Sequence, residues 1–108
     1  MTRSRTAVTD SDIKTRPKQT AKTERPKLWK VILVNDDYTP REFVTLVLNS
    51  IFGMGPDKAY HIMMTAHQRG VCVVAVFTKD VAETKAAQGT DAGASAGFPL
   101  TFTTERED

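Results

Sequence analysis

The sequence predicts an α+β fold: a two-layer sandwich of three helices on a three-stranded antiparallel sheet, in the order β-α-α-β-α-β. Two observations carry this. Three β-rich runs, "KVILVN" (30–35), "VCVVAVFT" (71–78) and "FPLTFTT" (98–104), are separated by segments whose apolar residues repeat at helical spacing. Glycine and proline fall between these segments rather than inside the long helical ones. A chain of 108 residues suits one small domain, and helices stacked on one face of a small sheet are a stable two-layer solution.

Each element has its own signal. The first strand is continuous and β-branched, so it is expected to be central or covered on both faces. Thr39-Pro40-Arg41-Glu42 reads as a capping box, with Thr39 accepting from the backbone at Glu42 and Pro40 at the first helical position. Phe43, Val44, Val47, Leu48, Ile51 and Phe52 then form an apolar stripe ended by Gly53. A second helix is expected from Pro56 to Arg69, closed by Gly70, with Ala59, Ile62, Met63 and Ala66 on its apolar face. A third starts after Thr78, a candidate N-cap, with Asp80 in its first turn. It is expected to be short, because "GTDAGASAG" (89–97) reads as a mobile small-residue loop. Pro99 belongs at the start or edge of the last strand, and the terminal "ERED" is expected to fray.

Charge is unevenly placed. Residues 1–30 hold nine Lys/Arg and three Asp/Glu, whereas residues 31–108 hold six and ten. A basic, Thr/Ser-rich extension over residues 1–27, expected to be disordered, thus precedes a mildly acidic domain over residues 28–108. The single cysteine, Cys72, excludes an internal disulfide and fits a reducing compartment. No apolar run reaches the roughly 18 residues of a membrane span, and no signal-peptide core is evident. A soluble cytoplasmic protein is expected.

Chemistry-bearing residues are few. His61 and His67 lie six apart on one helix, about 120° apart around its axis, which is poor geometry for a metal pair. Cys72 sits in an apolar strand, where a thiol usually packs as a small hydrophobe. There is no phosphate loop or nucleophile elbow, so no cofactor is expected. Two features stand out. Asn35-Asp36-Asp37 places an amide and two carboxylates at the end of the most hydrophobic strand, where they make a turn or a binding rim. His67 follows Met63 by one helical turn, so the two are neighbours on one face.

Together, "KVILVNDDYTPREFV", "HIMMTAHQRG", "AVFTKDVAETKA" and "FPLTF" resemble the ClpS family, adaptors of the ATP-dependent Clp protease, over about residues 28–102. The resemblance implies a non-catalytic adaptor that binds the free N-terminal Phe, Tyr, Trp or Leu of N-end rule substrates. It would deliver them to an unfoldase, usually ClpA, by binding that protein's N-terminal domain. Asn35, Asp36, Asp37 and His67 would receive the α-ammonium. Ile32, Thr39, Arg41, Val44, Met63, Ala66 and Leu100 match the family's hydrophobic pocket. Asp80 and Lys85 match its unfoldase contacts, and the N-terminal extension would take part in hand-off. A monomer is expected. The chain departs from the family at Arg41, where Met is usual, and at Ala66, where Val is commoner. Arg41 folded over an aromatic ring would favour Phe, Tyr and Trp over Leu.

Two other readings compete. The basic extension would suit a small nucleic-acid- or ribosome-associated protein, and the expected fold is similar to a ribosomal stalk domain. The net acidity of residues 31–108 argues against this. An acid–base enzyme using Asp36, Asp37 and His67 is the third reading, but it lacks a nucleophile, a cofactor loop and an oxyanion device.

Overall fold

A computed structural model describes residues 25–108. Strand β1 (Leu28–Val34) is followed by helices α1 (Arg41–Phe52) and α2 (Pro56–Arg69), strand β2 (Val71–Thr78), helix α3 (Lys79–Ser95) and strand β3 (Thr101–Arg106). The sheet order is β2-β1-β3, and both pairings are antiparallel. The two-layer α+β expectation therefore holds. The disorder expected of the N-terminal extension falls almost wholly on residues 1–24, outside the described residues.

The β-branched run of β1 belongs to a central strand, not to one covered on both faces. Its side chains alternate as a strand's must. Val31 and Leu33 are buried under the helices, whereas Ile32 is only half-buried. Ile32 pairs with Val73 and Thr103 on the outer face, where Val71, Val73 and Val76 are exposed and Lys30 meets Glu105 at 3.6 Å. The pairing of β1 with β2 slips between Val31↔Ala75 and Ile32↔Val73, so Val74 is an extra residue in β2, and it is buried.

Helix α1 buries Val44, Val47 and Leu48, as its stripe predicts. It stops where Gly53 turns left-handed (φ 69°) and donates its N–H to the Asn49 carbonyl at 3.0 Å. Its start differs from the expected capping box. Pro40 is the N-cap, with no side-chain cap bond, and its carbonyl accepts from the N–H groups of Phe43 and Val44. Thr39 makes no bond to the helix start; its hydroxyl donates to Asp36 in the loop instead.

Helix α3 is much longer than expected. It continues through Gly89 and Gly93 to Ser95. The helix buries a ridge of small residues, Ala82, Ala86, Gly89 and Gly93, against the sheet edge. A Cβ on Gly89 would stand 2.5 Å from the Phe102 ring, and one on Gly93 would stand 2.6 Å from the Leu100 Cβ. Each glycine costs a helix about 1 kcal/mol relative to alanine. The close approach offsets that cost by burying Leu100 and Phe102, 2% and 5% exposed. Thr90 fastens the contact, its Oγ1 accepting from the Phe102 N–H at 3.0 Å. The last strand begins two residues after Pro99 and runs through Arg106, because Glu105 and Arg106 pair with Lys30 and Trp29 instead of fraying. Among the described residues no helix is long and apolar enough to cross a membrane.

Candidate functional site

The site lies where β1 leaves the sheet. The Asn35 N–H donates to the Gly70 carbonyl at 2.9 Å. That bond holds the end of β1 against the α2–β2 junction, three residues beyond His67. Local chemistry then shapes the loop. Asp36 Oδ1 accepts from the N–H groups of Tyr38 (2.8 Å) and Thr39 (2.7 Å), and Oδ2 accepts from the Thr39 hydroxyl (2.9 Å). This is an Asx turn extended by one bond. It satisfies the buried Thr39 side chain and aims the chain into α1. The adjacent carboxylates have therefore separated: Asp36 faces its own loop, and Asp37 is exposed at the mouth.

Beneath the loop is a cavity of about 160 Å³. Leu33, Val44, Met63, Ala66 and Leu100, all buried, form its apolar walls, with Thr39 and Val34 beside them. Asn35, Asp36, Asp37, Arg41 and His67 form the polar side. Three elements supply the walls: β1 turns Leu33 inward by its period of two and adds Val34 where the strand ends, and α1 and α2 each turn one face inward by their period of 3.6. Leu100 arrives from the segment between α3 and β3, seated by Gly93. A dry apolar cavity of about 150 Å³ is large enough for a benzene ring, so this one fits a single aromatic side chain.

Ile32 is the exception among the residues expected to line the pocket. It points to the outer face of the sheet, and Leu33 takes its place. A one-residue shift along a strand exchanges faces, so alternation with the buried Val31 was the available signal. Asp80 and Lys85 lie on α3, away from the cavity. Lys85 is half-buried, and its Nζ donates to the Ile51 carbonyl at 2.8 Å, satisfying the C-terminal end of α1. Asp80 is exposed in a shallow depression with Trp29, Lys79 and Arg106.

One contact had no sequence signal. Arg41 Nη2 lies 3.1 Å from His67 Nε2, although the residues are 26 apart in the chain. A guanidinium only donates, so the imidazole Nε2 must accept, and the proton of a neutral His67 then sits on Nδ1. Cys72 lies outside the cavity lining. Its thiol is pushed above the ordinary value by burial, partly opposed by the nearby Arg69 guanidinium. Among the described residues, no group of three or more His, Cys, Asp or Glu is placed to hold a metal ion.

Comparison with known proteins gives this geometry a family. Residues 24–103 match the family described as ATP-dependent Clp protease adaptor protein ClpS. The chain is 63% identical over 100 residues to ATP-dependent Clp protease adapter protein ClpS 1 of Bradyrhizobium diazoefficiens, covering 91% of this chain and 99% of that one. It is 64% identical over 99 residues to ClpS 2 of Mesorhizobium japonicum, covering 90% and 98%. Among solved structures it is similar to Agrobacterium tumefaciens ClpS2 bound to L-phenylalaninamide. The TM-score is 0.76 and the identity 61%, over 77% of this chain and 100% of that chain. With matches that span the strands, the helices and the cavity between them, the chain belongs to the ClpS family, the adaptors, not enzymes, of the ATP-dependent Clp protease.

Proposed function

We propose that this adaptor binds the free N-terminal residue of proteins beginning with Phe, Tyr, Trp or Leu and delivers them to a ClpA-type unfoldase. The observation that carries this reading is the pairing of a ring-sized apolar cavity with acceptors at its mouth. The relative bound to L-phenylalaninamide supports it, since that ligand is an amino acid with a free amine and an amide in place of the next peptide bond.

The first side chain enters between Leu33, Val44, Met63, Ala66 and Leu100. Burying an aromatic side chain removes about 150–250 Å² from water, a gross gain of roughly 4–6 kcal/mol before ordering costs. The α-ammonium carries three donors. Asn35, Asp37 and His67 are the acceptors available to it, and Asp36 holds the loop that presents them. Acetylation removes both the charge and two of the donors, so an acetylated terminus is rejected.

Asp80 and the α3 surface around it face the unfoldase, and residues 1–27 take part in hand-off. The adaptor acts as a monomer in the cytoplasm. The test is a titration of labelled peptides that begin with Phe, acetyl-Phe and Gly, with an RNA or DNA oligomer alongside. Only free-amine Phe binds tightly. Equal binding of acetyl-Phe, or tight binding of the oligomer alone, rejects the reading.

A further inference from the structure

The Arg41–His67 contact places a cation where a substrate's cation has to go. Arg41 is the first residue of α1 and His67 lies in the last turn of α2, and both line the cavity mouth. Both side chains are exposed, so packing does not force them together. Nη2 nevertheless stands 3.1 Å from Nε2. The imidazole Nε2 has one lone pair in the plane of the ring and takes one donor at a time.

We infer that Arg41 is an internal stand-in for the substrate's α-ammonium: it occupies the His67 acceptor in the empty protein, must be displaced by every ligand, and thereby sets side-chain selectivity. The inference rests on the N-terminal residue binding proposed above. Displacing Arg41 costs every ligand alike, because each brings the same ammonium. What differs is where the guanidinium goes. Over the face of a bound Phe, Tyr or Trp ring it regains a favourable contact with the π-system. Over a Leu side chain it finds no such partner, and it remains a like charge close to the incoming ammonium. The displacement cost is thus offset only for aromatic residues. One residue, outside the apolar walls, would discriminate between side chains of similar volume.

The contact also holds His67 in the Nδ1–H tautomer before substrate arrives. Substrate then meets an acceptor already turned toward the mouth, at the price of evicting its present donor.

The test compares wild type with Arg41→Met and Arg41→Gln, using peptides that begin with Phe, Leu and acetyl-Phe. The cation–π contribution at an exposed site corresponds to about two- to fivefold in affinity. The expected result is that Arg41→Met tightens Leu-peptide binding by at least about twofold. It leaves Phe-peptide affinity unchanged or weaker, so the Phe/Leu ratio falls by about two- to fivefold. Arg41→Gln, which still donates but carries no charge, should narrow the ratio in the same direction. Long-range proton–nitrogen NMR of the ligand-free proteins reads the tautomer directly. Nδ1–H should dominate in wild type, with Nε2–H gaining population in Arg41→Met, a change that a purely structural role for Arg41 does not produce. An unchanged Phe/Leu ratio with an unchanged tautomer overturns the stand-in while leaving the pocket intact. If wild type does not prefer free-amine Phe to acetyl-Phe, it is the binding reading itself that fails.

Discussion

A Cβ built on Gly93 would lie 2.6 Å from the Leu100 Cβ, and Leu100 is a wall of the cavity. A helix interior and a binding pocket are thereby joined through an absent side chain. Gly93→Ala should improve helix propensity yet destabilise the protein, because overpacking typically costs about 1–3 kcal/mol. The net loss should centre on about 1 kcal/mol, a fall of roughly 4–8 °C in Tm for a domain of this size. Displacing Leu100 should also weaken binding of Phe-peptides. Thermal melts and peptide titrations on the same variant check both parts; unchanged stability would show that α3 and the Leu100 segment move apart freely.

The neighbouring carboxylates should behave differently. Asp36→Ala removes three hydrogen bonds and leaves the buried Thr39 hydroxyl without its partner. A loss of about 2 kcal/mol in stability is expected, and peptide affinity falls because the loop is no longer held. Asp37 is exposed, so Asp37→Ala should change stability by no more than about 0.5 kcal/mol while still weakening binding to free amines. Urea denaturation separates the two. Equal destabilisation by both substitutions would contradict the division of roles.

His67 accepts only through an unprotonated ring nitrogen. In His67→Ala a Phe-peptide should bind more weakly, by roughly tenfold, because the ammonium loses an acceptor at the cavity mouth. An acetyl-Phe peptide, which brings no ammonium, should be affected less. Anisotropy titrations of both peptides test this, and equal Phe-peptide affinity for the two proteins would remove His67 as an acceptor.

Burial raises the thiol pKa of Cys72 above its ordinary value. At any alkaline pH the folded thiol is therefore less ionised than the unfolded one. Iodoacetamide should modify the native protein more slowly than the urea-unfolded chain at the same pH, since the thiolate is the nucleophile. Stability should be unaffected by this group near neutrality and should decline as pH climbs past the point where the unfolded thiol ionises. Equal alkylation rates in the two states would show that the native thiol is not shielded.

The sequence by itself determined the order of elements, the stripes that α1 and α2 bury, and the neighbourhood of Met63 and His67. These depend on periods of 2 and 3.6 and on nearby turn residues, all local in the chain. Locality also set the limits of that reading. A propensity argument stops the third helix at Gly89, because it does not include Phe102 and Leu100, whose close packing rewards the two glycines. It assigns Thr39 to a capping box, because it does not weigh the Asp36 carboxylate, which binds Thr39 into the loop through both its N–H and its hydroxyl. It chooses Ile32 over Leu33, although one residue decides the face. The cavity itself, and the reach of Arg41 to His67 across 26 residues, exist only in the tertiary structure. Side chains far apart in sequence meet there because the bond from Asn35 to Gly70 brings the end of β1 to the end of α2.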